Sequence, residues 1–355
     1  MAGLFVVLYQ CSTAALVSEL SLSYLEAFKP GLVTGGFLES LGAVAVIIAV
    51  SAAINWPSIR FTTNFFWVFS ANALVAFAVF IGYCIPRIHA GSTGRFGVSD
   101  TLLSGPDWAN AAGLAVFNSA GYDACASVIS RVSDPRKSLP KAMVLVSAVL
   151  TVTYVATLVL PALATSDDYS RWVPGYFVTL AREVGPEWLA RWIFVSCLLT
   201  NLQSYSCSLM TASYTLASMS SPRKGDGKLT LDPSGDAYPS ALLPKWFGKT
   251  HGEVPRNAIG TCAFLSLLFG IAPLRINIGL QPMLYALIML TEIACYLRLK
   301  PLKTDWLHRV WSRRLLVTTA VLVSAFFFSV QNRVLMFGVF SILFLATEWS
   351  VVRLK

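Results

Sequence analysis

The chain has 355 residues, 55% of them hydrophobic and 13% charged, with a mean hydropathy of +0.64 and a net charge of +9. Soluble domains carry about a quarter charged residues, so this deficit argues against an ordinary soluble domain and for a polytopic membrane protein. The seven Cys form no CxxC pair, and His89, His251 and His308 fall in loops without a ligand cluster, so no disulfide framework, metal site or cofactor is indicated.

A spanning helix needs about 20 mostly apolar residues. By that rule the sequence predicts an all-α protein with ten spans, at roughly 3–25, 36–55, 61–84, 108–130, 140–164, 188–218, 256–274, 277–298, 315–330 and 334–352. The first is read as a spanning helix and not as a signal peptide. No basic residue precedes its apolar run, and Glu19 and Glu26 stand where small cleavage-site residues are needed. The fourth is interrupted by a polar, glycine-containing break, Asn118-Ser119-Ala120-Gly121-Tyr122-Asp123, and stops at a basic, proline-punctuated loop, Arg131 to Lys141. A broken span is tolerated only where the break lines a cavity or is buried in protein, and many secondary transporters build a substrate site from such breaks.

Two connections are more than links. Segment 165–187 carries Asp167, Asp168, Trp172 and an amphipathic stretch, TLAREVG, and is either a helix packing over the mouth of a cavity or an ordinary loop. Residues 219–255 are rich in Ser, Pro, Gly and charge and read as a cytoplasmic loop. Ten spans put both termini on one side. Nineteen of the 27 basic residues fall on that side, around residue 60, at 131–141, 223–256 and 298–314, and at the C-terminus. The positive-inside rule therefore places both termini in the cytoplasm. It also assigns the basic charge to inner loops and lipid headgroups, with no nucleic-acid partner.

Motifs of bond-making chemistry are missing. There is no GxxxxGK[ST] phosphate cradle, no HExxH and no GxSxG, so the chain is not expected to be an enzyme. What remains is a set of carboxylates in or beside spans: Glu19, Glu39, Asp123, Glu292 and Glu348. An intramembrane carboxylate is costly and by default marks a substrate or ion pathway. Glu39 and Glu348 lie near span ends, within reach of interfacial water. Glu292 either pairs locally near the inner face or serves as a proton or cation site. Glu19 lies among Ser12, Thr13, Ser18, Ser21 and Ser23, on a polar helix expected to face a cavity or other helices and not lipid. Asp123 follows the break, where it caps the second half-helix and is held ionised by the helix dipole. Capping is compatible with binding a cationic substrate group, and a capped carboxylate suits that task better than carrying a proton.

Four blocks resemble the amino acid–polyamine–organocation superfamily, most of all its eukaryotic polyamine/proton symporters and L-type amino acid transporter relatives. Val116-Phe117-Asn118-Ser119-Ala120-Gly121-Tyr122-Asp123-Ala124 is similar to the family's sixth helix. Arg131 to Ala142 resembles its inner-loop signature of Pro, paired basic residues, Ser/Thr and Pro. Leu199-Thr200-Asn201 and the Ser/Thr/Met-rich run after it resemble the eighth helix, and Leu284 to Lys300 the tenth.

The resemblance implies a LeuT-like fold in which residues 1–355 form one transmembrane transporter domain, with spans corresponding to helices three to twelve of the family. The family's first two helices, including the glycine-rich unwound stretch of the substrate site, have no counterpart here, so the domain is N-terminally incomplete relative to the family. Implied substrate contacts are Phe117 as a lid, Asn118, Gly121 and Tyr122 as polar or backbone contacts, and Asp123 as an anionic anchor. Glu19 and Glu292 are the proton or cation coupling candidates. Phe117 stands where the family often has Trp, which leaves polyamine against amino acid preference open. The implied function is a proton-coupled permease for polyamines or amino acids, in the plasma membrane or an internal membrane, or a chain inactive without the missing helices. The alternative is a non-transporting sensor or partner subunit of the same fold.

Overall fold

In hydrocarbon every backbone N–H and C=O must be satisfied inside its own segment, which makes long apolar runs helical. The computed structural model describes residues 2–29, 31, 37–88, 132, 134–165, 172–220, 243–244, 246–250, 254–272 and 274–298, and the regular elements among them are helices. In chain order these are α1 (Ala2–Phe28), α2 (Phe37–Asn55), α3 (Ile59–Cys84, running into a 3-10 turn, Ile85–Arg87), α4 (Pro135–Ala164), α5 (Tyr176–Val184), α6 (Glu187–Ser220), α7 (Arg256–Gly270) and α8 (Leu274–Arg298). Each corresponds to an expected span except α5. The expected spans 108–130, 315–330 and 334–352, the broken stretch with Phe117, Asn118, Gly121, Tyr122 and Asp123, and most of loop 219–255 lie outside the described residues. Segments Gly3–Phe28, Ile59–Arg87 and Lys137–Ala164 are each long and apolar enough to cross a membrane.

Local sequence sets the helix ends. Ser58 caps α3, its hydroxyl accepting the Phe61 N–H at 3.2 Å. Helix α4 starts five residues before the expected span, at Pro135, because a proline in the first turn gives up only an N–H that the helix leaves unpaired. Outward faces of α3 and α4 present Trp67, Val68, Val144 and Val152, each at least 65% exposed. Water penalises such apolar faces; lipid does not.

The long helix α6 is the axis of the bundle. Its Tyr205, Leu209 and Ala212 share one core with Val7, Cys11 and Ala14 of α1, Val44 and Ile48 of α2, and Ala258, Ile259 and Cys262 of α7. Small buried residues (Ala14, Ala15, Ser18, Ala212, Ser213) let backbones approach closely, which is how helices associate where no hydrophobic drive separates them from lipid. Helix α8 runs antiparallel along the other side of α1: Tyr9 meets Tyr285 at 5.4 Å between ring centroids, and Thr13 meets Gln281 one turn further along.

Within segment 165–187 the described residues include a helix, Tyr176–Val184. Helix α5 lays Tyr176, Val178, Leu180, Ala181 and Val184 against Ala76, Phe80 and Cys84 of α3 and Leu189, Ala190 and Ile193 of α6. A polar latch fixes it at the end of α1. Arg182 donates to the Phe28 carbonyl at 3.1 Å and pairs with Glu187 at 3.5 Å, and Glu187 also reaches Arg191 at 3.6 Å. Just before α5, Gly175 has φ +93, and a Cβ there would fall 2.5 Å from the Ala27 Cβ. Both the backbone conformation and the closeness to α1 require glycine.

Gly175→Ala should therefore lower stability by roughly 1–3 kcal/mol through backbone strain and overpacking. Thermal unfolding of the detergent-solubilised protein measures this, and trypsin should cleave faster after Arg182 as α5 loosens.

Candidate functional site

Helix α1, which carries polar residues all round its circumference, is packed against α6, α7 and α8. Gln10, Ser12, Ser18 and Ser21 are buried, and Thr13, Glu19 and Ser23 are partly so. Ser18 and Ser21 donate back to the carbonyls of Ala14 and Val17 at 3.1 and 2.9 Å, so these hydroxyls are satisfied within their own helix. Ser12 and Thr13 instead face α8. The Gln281 amide donates to Ser12 Oγ at 3.0 Å, and its Oε1 lies 2.8 Å from Thr13 Oγ1. Thr13 Oγ1 is also 2.9 Å from the Tyr9 carbonyl, so its single proton serves one acceptor at a time. This clamp joins α1 to α8 through a side chain that is 1% exposed.

Two further polar seams run beside α6. Asn72 of α3 donates to Ser196 Oγ at 2.9 Å and accepts from the Trp192 indole at 3.1 Å, while Gln203 donates to Ser70 Oγ at 2.8 Å. Asn55, at the end of α2, donates to the carbonyls of Ser51 and Ser206 at 2.9 and 3.0 Å. Among the described residues, one oxygen of the Glu19 carboxylate, the Asn201 amide nitrogen and the Thr211 hydroxyl are buried without a hydrogen-bond partner. Buried polar atoms are nearly always paired, so each such orphan calls for a physical account.

The two coupling candidates do not share a site. Because α1 and α8 are antiparallel and level at Thr13 and Gln281, Glu19 lies level with the start of α8 and Glu292 level with the start of α1. At 1.5 Å rise per residue they are roughly 25 Å apart along the bundle. Glu292 is exposed, and the Glu19 carboxylate is partly buried. The α-carbon of Glu39 lies in the first turn of α2, and Glu348 is outside the described residues.

Gln10, Asn55, Asn72, Gln203 and Gln281 stand outside the set of carboxylates that the sequence singles out. Their signal was an isolated amide inside an apolar span, where helices use such groups to bond across to neighbours.

These features define a polytopic α-helical membrane protein whose central helices carry neutral hydrogen-bonding seams and, among the described residues, the sheltered carboxylate of Glu19. An amino acid permease family model matches residues 1–222, and the chain belongs to that family, within the amino acid–polyamine–organocation superfamily. It is similar to polyamine transporter PUT1 of Oryza sativa subsp. japonica, 28% identical over 208 residues, which are 58% of this chain and 37% of the relative. Polyamine transporter RMV1 of Arabidopsis thaliana is 21% identical over 205 residues, 58% of this chain and 41% of the relative. A probable polyamine transporter of Arabidopsis thaliana is 25% identical over 307 residues, 83% of this chain and 57% of the relative. The chain thus spans about two fifths of the first two relatives' length.

The clamp is open to a direct measurement. In a double-mutant cycle, Thr13→Val and Gln281→Leu should couple by about 0.6 kcal/mol, with about 1.7 as a ceiling, the range found for hydrogen bonds between membrane helices. The readout is equilibrium unfolding in micelles.

Proposed function

We propose that the protein is a secondary active permease for polyamines or amino acids, driven by the proton gradient, that moves its substrate without altering its covalent bonds. Membership of the amino acid permease family and the likeness to polyamine transporters support the class. The observation that carries the site is the Glu19 carboxylate, with one oxygen sheltered from water and no partner among the described residues. A carboxylate oxygen in that position is costly to leave bare, and a proton or a substrate ammonium group relieves it.

In this reading Glu19 works with the broken stretch of the fourth expected span. Phe117 closes over the substrate, Asn118, Gly121 and Tyr122 contribute polar contacts, and Asp123 anchors an ammonium group. Glu292, at the far end of α8, is the second proton or cation candidate and acts in a separate step. Residues 1–355 form one transporter domain, with 219–255 as its cytoplasmic loop. The skew of basic residues to one set of loops supports cytoplasmic termini, and the plasma membrane is the proposed location.

Uptake of labelled putrescine, spermidine and arginine by cells expressing this chain tests the reading. Uptake should rise with an inward proton gradient and collapse with a protonophore. Glu19→Gln should reduce it at least about thirtyfold, as expected for removing one partner of a buried charge pair, with thermal unfolding reporting whether the variant folds. Asp123→Asn and Phe117→Ala should each change flux. Substrate binding without flux would instead assign the chain to a sensor or partner subunit.

A further inference from the structure

At the end of the bundle where α2 turns into α3, the structure gathers aromatic and cationic side chains that the polar groups of α1 do not use. Trp56 and Pro57 form that turn, and Arg256 opens α7 against it. The Arg256 guanidinium lies over the Trp56 ring, 5.3 Å from its centroid. Stacking of this kind orients the guanidinium plane. Arg256 Nε is nevertheless buried without a hydrogen-bond partner among the described residues.

Beside it, Asn257 donates to the Trp246 carbonyl at 3.1 Å and ties the short loop 243–250 to α7. Phe247 anchors that loop in the bundle core. Trp56 and Trp246 remain 42% and 52% exposed. Arg60, in the first turn of α3, and Lys249, three residues after Trp246, are both exposed. Neither they nor Arg256 form a salt bridge among the described residues.

Two exposed indoles at one end of a membrane bundle mark the level of the lipid headgroups. Three cations without ion-pair partners among the described residues stand at that level, and basic pockets between helix ends bind anionic lipid headgroups. A free phosphate would answer the charges but leave the indole rings bare. A phospholipid answers both, with its phosphate on the guanidinium fork and its glycerol region against the rings. We propose that this end of the bundle binds the headgroup of an anionic phospholipid. Arg256 holds the phosphate, Arg60 and Lys249 add flanking charge, and Trp56 and Trp246 seat the glycerol region. The bound lipid then staples the α2–α3 turn, loop 243–250 and α7 together across the central core.

Native mass spectrometry of the purified full chain, titrated with phosphatidylglycerol or phosphatidylcholine, tests this. Phosphatidylglycerol should be retained in preference. Each of Arg60→Gln, Lys249→Gln and Arg256→Gln should weaken its binding about fivefold, the worth of one basic residue at a membrane surface. Arg191→Gln, beside the α5 latch, should leave binding unchanged. Arg60 and Lys249 are solvent-exposed, so their variants report on binding even if Arg256→Gln loosens the loop. Equal retention of the two lipids would overturn the proposal, as would wild-type binding by the triple variant. Displacement of the lipid by glycerophosphoglycerol or an acidic peptide at matching concentration would replace it with a soluble ligand or a protein partner.

Discussion

A hydrocarbon layer offers no water to a polar group, and this single constraint organises the bundle. An amide or hydroxyl buried in these helices is stabilised by bonding within its own helix or across to a neighbour. Where it bonds across, it fixes two helices in register. Gln281 does this between α8 and α1, Asn72 between α3 and α6, and Asn55 between α2 and α6. Dispersion between small residues brings α1 and α6 close, but contacts of that kind slide. The amides decide where sliding stops.

The two ends of the bundle are closed differently. At the α5 end, a short amphipathic helix covers α3 and α6 and is latched to the end of α1 by Arg182 and Glu187. At the other, the α2–α3 turn and residues 246–250 present exposed rings, with Arg256 stacked on Trp56 and the exposed cations Arg60 and Lys249 beside them. The covered end is held by protein–protein bonds, whereas the open one is built for contact with what surrounds the protein.

Between them, the polar groups of α1 are mostly satisfied: Ser18 and Ser21 bond back to their own helix, and the Ser12–Thr13 pair is spent on α8. One oxygen of Glu19 stays buried without a hydrogen-bond partner among the described residues.

The existence and order of the seven described helices at expected spans were legible in the sequence, because apolar runs of about 20 residues have one stable backbone solution in lipid. The family resemblance was legible too, in short motifs spread along the chain. Segment 165–187 was not settled by its own pattern. TLAREVG is amphipathic whether or not anything lies beneath it, and only the packing of Phe80, Leu189 and Ala27 around α5 makes it a helix with Gly175 at its start. Nor could the sequence separate Glu19 from Glu292, since both are acids within apolar runs. Tertiary structure sets them at opposite ends of an antiparallel helix pair and shelters only Glu19. Gln281 and Asn72 went unnoticed for the same reason: an amide carries no charge penalty to draw the eye, and its importance depends on which hydroxyl lies opposite. Hydropathy is a property of one segment and can be read along the chain. A clamp, a latch or a sheltered carboxylate is a property of two or more segments, and only the folded bundle brings them together.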